Sequence, residues 1–173
     1  MSGLVYKMPP MSRVQVRQLA QQVHKLVKFT KPAFPIVEFV ECVLPRALEG
    51  FYFGVLPLSE MGVDEHGRTY PSNNAIYLRE DIYIRAAEGH GRDRFTLAHE
   101  LGHLLLHNTG MRREMPKGSI RPFEDSEWQA NCFGGELLMP DWYVRQAKSP
   151  QQIADACAVS FDAASYAWRT IQK

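Results

Sequence analysis

The sequence is poor in cysteine and lacks any long uninterrupted apolar segment. Its three cysteines (Cys42, Cys132 and Cys157) are odd in number and widely spaced, so they form neither a disulfide framework nor a Cys-x-x-Cys pair. No apolar run approaches the roughly 20 residues that a membrane-spanning helix needs. Residues 1–10 carry one lysine and no apolar stretch of signal-peptide length. We therefore expect a soluble protein of the cytoplasm.

A large excess of charge of either sign is also missing. The formal net charge is +1 over 173 residues, which removes the global electrostatic argument for binding nucleic acid or an anionic membrane. What is present is an ordinary globular composition, with 45% hydrophobic and 23% charged residues. A chain of this length can form one domain with a substantial core.

The spacing of apolar residues changes twice along the chain and indicates the fold class. The predicted helices cover 12–28, 35–48, 93–107, 127–138, 141–148, 149–157 and 161–170. The predicted strands cover 51–56, 68–70 and 75–79, and residues 81–87 fit either a strand or a short helix. Residues 1–11 look like a flexible leader, and residues 108–126 form a long connection. Within the second helix, Pro45 predicts a kink or an early end. This order predicts an α+β domain with a small mixed or antiparallel sheet packed with helices.

The most informative segment is 94–107, which contains His-Glu-x-x-His at residues 99–103. Two histidines four residues apart lie on one helical face, about one turn apart, so both imidazoles can reach one metal ion. Glu100, between them, can take a proton from a water molecule at that metal. Gly102 allows another backbone, such as a strand edge, to approach the helix. The segment predicts a zinc hydrolase.

A catalytic zinc ion needs a third protein ligand and an open position. His107 continues the four-residue spacing, but it lies eight residues beyond His99, about 12 Å away along a continuous helix. That distance is incompatible with tetrahedral geometry around a metal already bound by His103. We therefore interpret His107 as a polar residue at the end of the helix, where the helix dipole favours it.

A carboxylate from a second helix is the preferred third ligand. Glu127 begins the predicted helix 127–138, and Asn131 follows one turn later on the same face. The Asn131 side-chain oxygen can then accept a hydrogen bond from the outer N–H of a ligating histidine, as partners of metal-bound histidines usually do. This companion favours Glu127 over three other acidic residues, namely Glu124, Asp125 and Glu136.

Together these segments resemble the ImmA/IrrE family of metallopeptidases. The resemblance rests on Arg-Phe-Thr-Leu-Ala-His-Glu-Leu-Gly-His at residues 94–103 and on Glu-x-x-Ala-Asn-x-Phe-Gly-Gly-Glu-Leu-Leu-Met-Pro at 127–140. It extends from the first helix to residues 159–160 and so covers most of the chain. One departure is the pair Gly134 and Gly135, where the family commonly has alanines.

The resemblance implies a zincin-like domain over 12–148, followed by a C-terminal pair of helices over 149–173 that packs on it and looks like a helix-turn-helix. It also implies a gluzincin-like site that takes Zn²⁺, with Mn²⁺ left open by the same ligand types. The residues implied for this site are His99, His103 and Glu127 as metal ligands and Glu100 as general base. Asn131 joins them, on the spacing argument above, as the outer partner of a histidine.

The resemblance further implies a function. Family members are typically cytoplasmic proteins of bacteria, phages and mobile elements; several cleave a partner helix-turn-helix repressor, and others accompany toxin–antitoxin modules. We therefore expect a zinc-dependent endopeptidase acting on one protein partner, a repressor or an antitoxin. Two alternatives stay open: a toxin–antitoxin or regulatory protein that acts mainly by partner binding, and a DNA-binding regulator. Arg169 is the sole basic residue of the last helix, so we expect packing there rather than direct nucleic-acid binding.

Three further expectations concern the substrate. An extended peptide is expected to add as a strand along the edge formed by residues 76–79. Tyr77, His90 and His107 are candidate donors to the oxyanion, and the sequence does not choose among them. Four basic residues of the long connection fit a lid or partner-binding surface as well as a solvated loop: Arg112, Arg113, Lys117 and Arg121. The oligomeric state is not indicated by the sequence.

Overall fold

The computed structural model describes residues 4–108, 113–116 and 118–171. These residues form an α+β fold in which helices pack around two small sheets. The strands are β1 (Leu4–Lys7), β2 (Tyr52–Leu56), β3 (Gly67–Tyr70), β4 (Ala75–Arg79) and β5 (Arg113–Pro116). The helices are α1 (Arg13–Leu26), α2 (Ile36–Glu38), α3 (Leu44–Ala47), α4 (Glu80–Ala87), α5 (Gly91–Leu106), α6 (Ser126–Leu138), α7 (Asp141–Gln146), α8 (Pro150–Cys157) and α9 (Phe161–Ile171).

Helix α1 begins where the sequence predicts because Ser12 caps it. The Ser12 side chain accepts a hydrogen bond from the backbone N–H of Gln15, and the Gln15 side chain accepts one from the backbone of Ser12. Further along, Arg13 and Arg17 donate to the two carboxylate oxygens of Glu136, whose side chain is 1% exposed. This buried carboxylate therefore fixes α1 against α6.

The kink predicted at Pro45 takes the form of a π-helical segment, Phe39–Val43, between α2 and α3. Proline has no backbone N–H and cannot complete the α-helical bond to the carbonyl four residues earlier. The backbone N–H of Leu44 reaches five residues back, to the carbonyl of Phe39. Helical structure thus continues to Ala47 with one wide turn.

The three-stranded sheet has the order β2-β4-β3 and is mixed, one of the two arrangements that the sequence leaves open. Strand β4 lies in the centre, parallel to β2 and antiparallel to β3. The expected substrate edge at residues 76–79 is therefore wrong, because both edges of β4 are already paired. The edge next to α5 belongs to β3, whose Thr69 hydroxyl contacts Glu100.

Residues 4–11, which the sequence assigns to a flexible leader, are part of the fold. Strand β1 pairs antiparallel with β5, and Met8 is buried at 3% exposure. The backbone N–H groups of Met8 and Met11 donate to the carbonyls of Glu124 and Phe123. The leader assignment failed because these partners lie at the far side of the sequence, where local patterns give no information. The division of the remaining chain at residue 148 stays a prediction.

Helix α5 carries the His-Glu-x-x-His segment through the core. It begins at Gly91, with His90 as its N-cap residue, two residues before the predicted start. Asp93 lies in the first turn and accepts hydrogen bonds from Arg85. A Cβ added at Gly102 would lie 3.0 Å from the Cα of Ala130. The glycine therefore allows helix α6, rather than a strand edge, to approach α5.

The two C-terminal helices pack on the same core. Ile153 and Cys157 of α8 and Ala164 and Ala167 of α9 are buried in it. Between the helices Ala158 has a left-handed backbone conformation with φ of 51°, which produces the sharp turn. Within the described ranges, no helix has the length and apolar content needed to cross a membrane.

Candidate metal centre

Three side chains from two helices converge at the contact between α5 and α6. The Nε2 atoms of His99 and His103 lie 2.9 Å apart. Glu127, in the first turn of α6, places Oε2 3.4 Å from His99 Nε2 and Oε1 3.2 Å from His103 Nε2. One ligand atom from each of the three residues lies within 4.8 Å of the others. Two imidazoles and one carboxylate at this spacing suit a single metal ion.

The outer nitrogens of both histidines have partners. His99 Nδ1 lies 3.0 Å from Asn131 Oδ1, and an amide oxygen can only accept, so Nδ1 donates and Nε2 is the nitrogen that can bind a metal. His103 Nδ1 lies 3.0 Å from Nδ1 of His107. His107 is the C-cap residue of α5 and is buried at 3% exposure. The far side of its ring contacts Gln129.

The electrostatics of the cluster favour a bound cation. Hydrogen bonds with the side chains of His103 and His99 hold the pKa of Glu127 well below its usual range. Burial lowers the pKa of His99, but the hydrogen bond with Glu127 and the charges of Glu100 and Glu127 outweigh burial and raise it overall. The Glu127 carboxylate is thus held in its ionised form and His99 is stabilised in its charged form, so this position favours positive charge, which a divalent cation would supply.

Glu100 lies beside this cluster and is held by the edge strand. Its side chain is buried at 7% exposure, and its Oε2 accepts a hydrogen bond of 2.6 Å from the Thr69 hydroxyl. A Cβ added at Gly67 would lie 2.7 Å from the Glu100 Cγ, so only glycine lets β3 pass this close. Sequence reasoning missed both β3 residues, because nothing local connects a short polar strand with a glutamate in another element.

The cluster lies in a cleft that extends to both sides of it. One cavity of about 420 Å³ reaches towards Tyr6, Met8 and Arg68, and one of about 610 Å³ reaches towards residues 62–66 and Phe95. The two cavities share four lining residues: Glu65, Gly67, His99 and Glu100. An extended peptide could therefore pass across Glu100 with room on either side.

The comparison with known proteins decides the family. Residues 50–169 match the family model of the IrrE N-terminal-like domain, a peptidase family. This chain belongs to that family. The matched range includes α5 and α6, so it covers both helices of the metal centre. The resemblance to ImmA/IrrE proteins is confirmed, and membership indicates a metallopeptidase and implies a metal ion.

One curated relative is a phage protein. Over 65 residues the chain is 38% identical to "Uncharacterized immunity region protein 2" of Bacillus phage phi105. The aligned part is 38% of this chain and 41% of that protein, so the chain spans about two fifths of the relative's length.

The three other acidic residues considered as the third metal ligand of this IrrE-like chain make contacts away from the two histidines. Glu124 forms a 3.2 Å ion pair with Lys7. The Asp125 carboxylate caps α6 and accepts from the backbone N–H groups of Glu127 and Trp128. Glu136 binds the two arginines of α1.

The candidate oxyanion donors are also distributed unevenly. Tyr77 packs against Tyr52 and Tyr70 on the sheet, and His90 lies at the start of α5 near Glu88. His107 lines the cleft.

The four basic residues of the long connection do not form one described surface. Arg112 and Lys117 lie outside the described residues, Arg113 belongs to β5, and Arg121 lies over the Phe123 ring.

Cys132 and Cys157 of this IrrE-like chain are unsuited to act as nucleophiles. Burial raises the pKa of the Cys132 thiol to about 11 and that of Cys157 to about 12. Both thiols stay protonated at neutral pH, and the thiolate is the nucleophilic form. Although Cys132 directly follows Asn131, it therefore gives no thiol-peptidase alternative to the metal centre.

Proposed function

We propose that this chain is a zinc-dependent endopeptidase that cleaves one protein partner, a helix-turn-helix repressor or an antitoxin of a phage, mobile element or stress module. The observation that carries the proposal is the convergence of His99, His103 and Glu127 beside the buried carboxylate of Glu100. Family membership supports peptidase chemistry. The phage immunity-region relative supports a repressor-related partner.

The proposed metal ligands are His99, His103 and Glu127, with Asn131 as the hydrogen-bond partner that orients His99. This ligand set suits Zn²⁺ and leaves Mn²⁺ open. When bound, the ion would supply a Lewis acid that polarises the scissile carbonyl and acidifies the attacking water. A cytoplasmic location is part of the proposal, because all three cysteines are free thiols, as expected in a reducing compartment.

Glu100 is the proposed general base. Thr69 holds Oε2 by its hydroxyl hydrogen bond, so we assign proton transfer to Oε1. This oxygen takes a proton from the attacking water and later gives it to the leaving amine. Burial in a cleft of low dielectric strengthens the interaction of the carboxylate with charge that develops beside it.

The edge of β3 is the proposed site for the substrate backbone. Because β4 is paired on both sides, a peptide that adds to this sheet beside Glu100 must pair with residues 67–70. Main-chain hydrogen bonds of this kind recognise any extended peptide. The choice of one partner protein must then come from contacts outside the cleft.

The test begins with the genes that flank the coding sequence of this protein, and the product of a flanking repressor or antitoxin gene serves as the candidate substrate. Both purified proteins are mixed with and without zinc, and the products are identified by mass spectrometry. One zinc-dependent cut is the expected result. A stable complex with an intact partner would instead favour the partner-binding alternative, and salt-dependent binding of DNA by the protein alone would favour the DNA-binding alternative.

Gly67→Ala is expected to lower kcat/KM by on the order of 100-fold without weakening the binding of zinc. The added Cβ would lie 2.7 Å from Cγ and 3.0 Å from Cδ of Glu100, so the carboxylate must move away from its position beside Thr69. A displacement of about 1 Å at a reacting group costs activity on this scale. Partner cleavage and a zinc titration, run side by side, give the two quantities.

Gly135→Ala is the matched control. Its added Cβ would meet Met139 Cε at an ordinary 3.8 Å, outside the cleft, so activity should stay near that of the unmodified protein. If the two variants cleaved the partner equally well, the proposed positioning of Glu100 by the edge strand would be wrong.

A further inference from the structure

His103 is held at its outer nitrogen by a second, buried histidine. His107 Nδ1 lies 3.0 Å from His103 Nδ1, and His107 Nε2 lies 3.1 Å from Gln129 Oε1. His107 is 3% exposed and Gln129 is 1% exposed. The two imidazoles and the amide thus form a buried chain that leads from the candidate metal centre into the protein.

The direction of every hydrogen bond in this chain is fixed at Gln129. The Gln129 Nε2 amide donates to the backbone carbonyls of Pro9 and Phe123, both at 2.9 Å, which uses its two hydrogens. A flipped amide would place its oxygen against two carbonyl oxygens. The Gln129 oxygen therefore faces His107, and since it can only accept, His107 Nε2 carries a hydrogen.

The consequence passes through both rings to the metal centre. A neutral His107 with its hydrogen on Nε2 offers a lone pair at Nδ1, so His103 Nδ1 is the donor between the two rings. With its hydrogen on Nδ1, a neutral His103 has its lone pair on Nε2, which lies 2.9 Å from His99 Nε2 and 3.2 Å from a carboxylate oxygen of Glu127. The opposite arrangement would put a hydrogen on His103 Nε2, where it would block metal binding.

We propose that His107 and Gln129 are positioning residues that fix the tautomer and ring orientation of His103 for metal binding. The proposal rests on the proposed function for the identity of the metal. Through the carbonyl of Pro9 it also ties the metal centre to the segment 4–11, which closes one end of the cleft with Tyr6 and Met8. The eight-residue distance that prevents His107 from sharing the metal with His99 leaves it well placed to support His103.

The first test needs no variant and no metal. NMR of the full, metal-free chain with ¹⁵N-labelled histidine is recorded at about pH 8, above the titration of ordinary histidine. We expect a hydrogen on Nδ1 of His103 and on Nε2 of His107, and a lone pair on Nδ1 of His107. A hydrogen on Nδ1 of His107, or a His103 ring without a hydrogen on Nδ1, overturns the proposal.

The second test measures the affinity for zinc by competition with a chelator. His107→Phe is expected to weaken it by about 10- to 100-fold, the range for partners of metal-bound histidines. His107→Gln, which can again offer an oxygen to His103 Nδ1–H, is expected to recover part of the loss. The control is His24→Phe, which removes another buried histidine, bonded to the carbonyl of Leu137; it should reduce thermal stability and leave zinc affinity unchanged.

The outcomes separate the two proposals. If His107→Phe binds zinc as tightly as the unmodified protein, the positioning role is wrong, whether or not the partner is cleaved. A loss that His107→Gln does not recover also contradicts it, because general damage to the fold would then explain the result. If the unmodified protein binds no zinc, the proposed function fails, whereas the tautomers of the metal-free chain can still be observed.

Discussion

Glu100→Gln is expected to stop cleavage of the partner, with kcat lowered by about 1000-fold or more, and to preserve the binding of both zinc and partner. Glutamine has nearly the shape of glutamate and can still accept the hydrogen bond from Thr69, but it cannot take a proton from water. General-base catalysis contributes about 10²- to 10⁴-fold, and loss of the base removes this contribution. Single-turnover cleavage, zinc analysis and calorimetric titration with the partner measure the three quantities.

Glu88→Gln is the matched control for this substitution. Glu88 lies at the end of α4, and its side chain is 60% exposed beside His90, so the same chemical change there should leave all three quantities unchanged. A Glu100→Gln protein with full activity would remove the peptidase mechanism, because no other described residue has been assigned the proton transfer. Full activity would also favour the alternative in which the protein acts mainly by binding its partner.

Glu127→Ala is expected to weaken zinc binding by at least about 100-fold, the upper end of the range for residues that only orient a ligand. The substitution removes the sole carboxylate among the three converging side chains. Zinc at 100 times its dissociation constant should stabilise the unmodified fold by about 2.7 kcal/mol. At the same zinc concentration, a 100-fold weaker variant should be stabilised by only about 0.4 kcal/mol.

Glu124→Ala distinguishes loss of a ligand from loss of any nearby charge. Glu124 lies three residues earlier and pairs with Lys7, so its removal should leave the zinc-dependent shift in melting temperature intact. Thermal unfolding of both variants across a zinc titration provides the comparison. If Glu127→Ala kept the full shift, the third ligand would have to be another residue.

Local spacing accounts for what could be predicted about the candidate site. His99 and His103 share a helical face because they are four residues apart, and Glu127 and Asn131 do so for the same reason. These two pairs, each within one helix, could be recognised without knowing how the helices pack. Helix boundaries at Ser12 and Ser149 could be recognised as well, since each serine caps the residues that directly follow it.

The same reasoning failed where a contact joins distant segments. The pattern of residues 75–79 correctly indicates a strand, but it does not say that this strand is paired on both sides. Residues 4–7 form a strand only because β5 is available to pair with them. The place of His107 at the helix end was recognised, whereas its bond to Gln129, which sets the direction of its bond to His103, requires α6 to lie against α5.

By itself, then, the sequence determined the type of chemistry, through two short motifs whose geometry is local to a helix. The tertiary structure alone decided which strand presents its edge, which hydroxyl holds Glu100, and how Gln129 fixes the hydrogen bond between His107 and His103. The physical reason is the range of the interactions: backbone hydrogen bonding and side-chain periodicity act over a few residues, whereas strand order and buried polar chains depend on the packing of the whole chain.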